Sequence, residues 1–225
     1  MRAIGQIYNI LLKDLLIEMK SRESILSMFM FGILIIIIFN FTFEAGAEVM
    51  RKIGPGIIWV TFVFAAILGL NRSFTLEKEN SSLQGVMLTP VDRGVIYLGK
   101  FLSNLIFVLF IEIITLPFFA VFLNLSIFGH FRALWLIFLL GTVGFVSVGT
   151  LFSAMSVNTR MREVMLPILL FPVSTPVLIA AVESTKKVFL GKDLGDFSFW
   201  LNLMIVYDII FLVVSFLLFE FVIEE

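Results

Sequence analysis

The sequence predicts an all-α membrane protein: six transmembrane helices, preceded by an amphipathic helix at the N-terminus. Three observations carry this. The 225 residues are 60% hydrophobic, with a mean hydropathy of +1.09. Only 15% are charged, against roughly 25% in soluble domains, too little polar surface to keep a chain of this length dissolved. The apolar residues also gather in runs that reach, or nearly reach, the roughly 17–25 residues of a spanning helix. These runs are Ile25–Phe43, Ile53–Leu70, Phe101–Leu123, Ala133–Val157, Val164–Val182 and Phe199–Ile223. They lack the period-2 alternation of a barrel, whose strands would be only about 10 residues long. The whole of 1–225 reads as one transmembrane domain.

Composition also excludes function classes. The net charge of −1 gives no electrostatic case for nucleic acid. With no cysteine, there is no disulfide, thiolate metal site, cysteine nucleophile or thioether haem. No cleavable signal peptide is expected, because the N-terminal segment carries several charges and no apolar core ahead of a small-residue cleavage site.

Residues 4–22 come first. Ile4, Ile7, Tyr8, Leu11, Leu12, Leu15, Leu16 and Met19 recur at three- and four-residue spacing, with Gln6, Asn9, Lys13, Asp14, Glu18 and Lys20 on the other side. That pattern is an amphipathic helix, and directly before a span it belongs in the membrane interface. Two readings stay open: a simple anchor, or an anchor that also holds a cytoplasmic partner. The loops place ten Lys and Arg on one side of the membrane and six on the other, so both termini are expected in the cytoplasm.

Residues 71–100 are the one long polar segment on that cytoplasmic side. Long ordered loops tend to be functional, and Thr75–Val86 has the spacing of a short helix. The segment ends in Gly94, Gly99 and Lys100, a near-match to a phosphate-binding loop. Such a loop needs a strand before it, a helix after it and a Ser or Thr next to the Lys. Position 101 is Phe, and a Pro-containing turn precedes Gly94. ATP binding is therefore not expected. Gly94 is expected to relax the turn, with Lys100 at the lipid–water boundary reaching toward the headgroups.

Inside the spans, Glu112 and Asp208 are the ionisable candidates. Such groups usually face the bundle interior and by default suggest function. The alternative is a protonated carboxyl hydrogen-bonded to a neighbouring hydroxyl or backbone group. The fourth span carries Gly141, Gly144, Gly149 and Ser153, small residues that let helices approach closely, either within the chain or along a seam with a second membrane protein. The fifth span holds Pro167, Pro172 and Pro176 and is expected to break or kink sharply, leaving a short surface helix within Ala180–Phe197. The single His130 cannot supply two axial ligands. It is either solvated or half of a haem site completed by a partner, and no metal site is expected.

Three stretches carry a family resemblance: "LLKDLLIEMKSRESILSMFMFGILIIIIFNFTFE", "EKENSSLQGVMLTPVDRGVIYLGKFLSNLIFVLFIEIITLPFF" and "GTVGFVSVGTLFSAMSVNTRMREVMLPILLFPVSTPVLIAAVE". Their combination of Arg22, Phe39, Asn40, Phe41, Pro90, Gly99, Lys100, Glu112, Gly149, Thr150, Asn158, Arg160, Glu163, Pro167 and Pro172 resembles the cytochrome c maturation permease family, haem exporter protein B (CcmB). The resemblance implies a six-helix permease of the ABC-2 type in the bacterial inner membrane. Residues 71–100 would be its coupling loop, and it would not be an enzyme itself. It implies work with a cytoplasmic ATPase subunit, a haem-handling membrane subunit, a further small subunit and a haem chaperone. Haem would then be handled by the complex, with no cofactor bound by this chain alone. On this reading Glu77, Glu79, Asp92 and Arg93 are the candidate ATPase contacts. The rival readings are an ABC-2 exporter of another substrate and a non-transporting assembly scaffold.

Overall fold

The computed structural model describes residues 2–21, 23–42, 47–79, 91–123, 130–157, 159 and 161–223. Among these, secondary structure is helical only. In chain order the helices are α1 (Arg2–Ser21), α2 (Glu23–Thr42), α3 (Ala47–Glu79), α4 (Arg93–Phe122), α5 (Phe131–Ser156), α6 (Arg162–Phe189) and α7 (Ser198–Ile223), with a 3-10 turn at Leu194–Phe197 before α7. The six helices α2 to α7 are each long and apolar enough to cross a membrane.

Two of them form the centre. The apolar windows of α3 and α5 are each 72% buried, whereas those of α2 and α7 are 17% and 22% buried. The difference follows from side-chain size. Gly141, Gly144 and Gly149 on α5 leave hollows that neighbouring side chains enter. α2 and α7 carry large aliphatic residues on outward faces, such as Leu34 and Ile209. Aromatic rings fill the middle: Phe62 sits edge-on to Phe119 and Phe138, with centroids 5.9 and 5.6 Å away.

The helices run further than the hydrophobic runs. α3 continues past Leu70 through Arg72 and Lys78 to Glu79, and α4 begins at Arg93 rather than Phe101. Within the expected coupling loop 71–100, residues 71–79 and 93–100 are helix, and the described part of the expected Thr75–Val86 helix, 75–79, continues α3. Residues 80–90 lie outside the described set. Charged residues such as Lys and Glu are good helix formers once the chain has left hydrocarbon, so hydropathy marks a span and not the end of its helix.

The fifth span corrects the expectation of a break. α6 is one helix from Arg162 to Phe189 with all three prolines inside it. Extra donors act beside the prolines: Ser174 and Thr175 donate to the carbonyls of Leu170 and Phe171, and Tyr207 of α7 donates to Val173 O at 3.1 Å. By the four-residue ladder the prolines take the donor from the carbonyls of Glu163, Ile168 and Pro172, so these hydroxyls add bonds along the helix rather than replace the missing ones. α6 ends only where Gly191 takes φ +71. There the Gly191 and Lys192 N–H groups donate to the Val188 and Lys187 carbonyls, each at 3.0 Å. The short surface helix expected within Ala180–Phe197 reduces to the 3-10 turn at Leu194–Phe197.

Candidate functional site

The site is built where α1 meets α4. Ile10, Asp14 and Glu18 stand four residues apart, so they share one face of α1, and that face is turned into the bundle. Ile10 and Glu18 are buried. A Cβ on Gly99 of α4 would come within 2.8 Å of Ile10 Cβ, so only glycine admits α1 this closely. One residue on, the Lys100 ammonium lies 2.9 Å from Asp14 Oδ2, with Lys100 2% exposed and Asp14 10%. Lys13 reaches Asp14 Oδ1 at 3.1 Å, and the Phe74 ring centroid of α3 lies 5.2 Å from the Lys100 nitrogen. Glu18 borders a small cavity together with Ser73, Ser103, Asn104 and Phe107.

This arrangement corrects the expectation for Lys100. It does not reach outward to headgroups; it is sealed inside and ties α1 to α4. Gly94 likewise serves packing, because a Cβ there would lie 2.4 Å from the Phe216 ring of α7. The near-match to a phosphate-binding loop is thus two helix contacts and a buried ion pair. Meanwhile the apolar row of α1 points away from the protein, with Ile4, Tyr8, Leu12, Leu16 and Met19 all exposed. Asp14 and Glu18 were missed as site residues. Their signal was present, two carboxylates four apart on the face opposite the apolar stripe, but that face reads equally well as turned to water.

The candidate contact residues divide. Glu77 and Glu79 lie in the last turns of α3, and their side chains are outside the described set. Asp92 caps α4: its Oδ1 accepts from Gly94 N–H at 2.7 Å, satisfying a helix-end donor. Arg93 is half-buried at the first position of α4. Arg22, Pro90, Asn158 and Arg160, which helped carry the resemblance, lie outside the described residues.

Glu112 and Asp208 are both buried, at 2% and 7% exposure. Thr142 Oγ1 donates to Glu112 Oε1 at 2.7 Å. Asp208 Oδ1 instead packs against Gly144, 2.4 Å from where a Cβ would stand. Thr142 and Gly144 are two positions apart on α5, about 200° around the helix, so α5 holds the two carboxyls on different sides of itself. The small residues of α5 are likewise used within the chain. Trp59 fills the space beside Gly141, Tyr207 and Asp208 that beside Gly144, and Leu70 that beside Gly149. Ser153 Oγ donates to Leu70 O at 2.7 Å. His130 is exposed at the start of α5.

Six spanning helices, with a charged helix face docked on one of them, define a multi-pass membrane protein. The profile of the family described as CcmB protein matches residues 5–223, and the chain belongs to that family. It is 30% identical over 186 residues to a heme exporter protein B of Haemophilus influenzae, covering 83% of this chain and 84% of that protein. Heme exporter protein B of Rhodobacter capsulatus is 28% identical over 70% of this chain and 72% of its own length. The protein of that name from Pseudomonas aeruginosa is 25% identical over 76% of each.

Proposed function

We propose that this chain is the transmembrane subunit of an ATP-driven complex for cytochrome c maturation, acting in haem export or in release of haem-loaded chaperone. Its membrane would be the bacterial inner membrane, with both termini cytoplasmic. ATP hydrolysis would belong to a partner, a cytoplasmic ATPase. Haem would be cargo of an assembly that also includes a haem-handling membrane protein, a further small component and a haem chaperone. Membership of a family whose named relatives are heme exporters supports the cargo.

The observation that carries the coupling role is the buried Asp14–Lys100 pair. A buried ion pair is a poor source of net stability, so its place between an outward-facing helix and a span suits a mechanical tie. A push on α1, or on the α3 end around Glu77 and Glu79, is carried through Lys100 into α4. Asp92 and Arg93, at the start of α4, complete the contact for the ATPase.

The test uses cells that lack this chain and have no second maturation system. Membranes are stained for covalent haem, and both c-type cytochromes and the haem-loaded chaperone are scored. Loss of cytochromes with the chaperone still loaded supports ATP-driven release, and loss of both places the chain earlier, at haem supply or complex assembly. Normal cytochromes would refute the maturation reading and leave an exporter of another substrate. Maturation that survives with an ATPase-dead partner would favour the scaffold.

A further inference from the structure

α1 and α2, consecutive in sequence, each lie against α4, and a groove of about 790 Å³ opens between them. Leu15 and Met19 of α1 form one wall, Leu26 and Phe29 of α2 the other, and Ile106 and Phe110 of α4 lie on its floor. Among the described residues, every one lining the groove is apolar. From Ile106 to Ile114 the floor extends eight residues, about 12 Å along α4. Leu26 and Phe110 are 59% and 48% exposed, so the groove opens sideways.

We infer that this groove is a binding site for one acyl chain of an anionic membrane phospholipid. The floor and one wall belong to spanning helices, so the space lies at a depth where hydrocarbon is the solvent. An apolar concavity of this size is in the range that encloses a whole ligand, about 300–1,000 Å³. Among the described residues, the lining offers no hydrogen-bonding side chain for a peptide or for the propionates of haem. It suits a flexible hydrocarbon chain. Lys20 supplies the charge complement: it is exposed, stands in the last turn of α1 and follows Met19 of the wall. Its ammonium suits a lipid phosphate while its methylenes extend the apolar surface. A lipid seated here would press on α1 and α4 next to the Asp14 contact, since Leu15 and Phe107 border both the groove and the small cavity beside Asp14.

The test is native mass spectrometry of the full chain released from nanodiscs of phosphatidylglycerol and phosphatidylethanolamine. The expected result is one retained lipid, mostly phosphatidylglycerol. Filling the groove with Leu26→Trp and Ile106→Trp should lower retention about tenfold, whereas Ile209→Trp with Ile210→Trp, on the outward face of α7, should leave it unchanged. Lys20→Glu should erase the preference for phosphatidylglycerol. Wild-type retention in the filled variant overturns the site, and an unchanged headgroup preference in Lys20→Glu overturns the assignment to an anionic lipid. Haem retained in place of lipid, and lost on filling, overturns it in favour of a haem groove. Should the filled variant fail to fold, Phe110→Trp gives an independent reading. Its quenching by brominated phosphatidylglycerol should saturate at a low mole fraction, and a linear rise would show only passing lipid contact and refute the site.

Discussion

The Lys100 ammonium stands 2.9 Å from the Asp14 carboxylate, joining the first helix of the chain to a residue 86 positions later. Removing one member of such a pair strands the other charge, at a cost of about 3–5 kcal/mol when the pair is fully buried. Because α1 is not one of the six spanning helices, Asp14→Ala should release α1 rather than unfold the spans. Hydrogen exchange should rise along α1 and stay unchanged in α5. Leucine at both positions should restore much of the protection, since replacing a whole buried pair by apolar groups is often neutral. Unchanged exchange in Asp14→Ala would show that Ile10 and Gly99 alone hold α1.

Gly141 faces Trp59 at a distance no side chain tolerates: a Cβ there would stand 2.2 Å from the indole. Gly141→Ala should therefore displace the ring and strain its bond to Thr185 Oγ1, now 3.0 Å long. Overpacking of this kind costs about 1–3 kcal/mol. Thermal unfolding followed by tryptophan emission reads both effects. Gly56→Ala, with nothing within 4 Å, is the control and should be neutral or slightly stabilising. Equal melting of the two variants would contradict the packing described.

Thr142→Val removes the hydroxyl that donates to Glu112 Oε1. A buried acceptor left without its donor costs about 1–3 kcal/mol. Thr142→Ser keeps the hydroxyl and should lose less, through a smaller cavity alone. Denaturation in mixed micelles would rank the three proteins, and a valine variant as stable as the wild type would show that the bond contributes nothing.

Gly191 tests backbone alone. Its φ is +71 and nothing lies within 4 Å of a Cβ placed there. Gly191→Ala should cost about 1–2 kcal/mol through the left-handed backbone, and Gly191→Asn clearly less. The loss should appear as fraying of the last turn of α6, seen as faster exchange at Leu190 to Lys192.

Six spans were legible because hydropathy reports what lies in hydrocarbon. Their ends were not, because α3 keeps its helix through Arg72, Lys78 and Glu79, residues that hydropathy counts as loop. The continuity of α6 was hidden for a different reason. Its three prolines are local, whereas the packing around them comes from other helices, as the Tyr207 bond from α7 to Val173 O shows. The two faces of α1 were visible at once, yet their direction was not. In water the apolar face must turn inward; beside lipid either face can, and only Lys100 decides. Glu112 and Asp208 stood out as buried carboxyls, whereas their separate places on α5 depend on Thr142 and Gly144 and needed the packing.

The inverted α1 has a consequence for biogenesis. Its carboxylate face is finished early, with Lys13 already beside Asp14, but the buried lysine that ties Asp14 to the bundle is added 86 residues later, at the start of the third span. Until α4 enters the bilayer, α1 lacks its main docking partner. Translation order and assembly order therefore run opposite for this helix: α1 precedes every span, yet its docking must wait for α4, the third of the six.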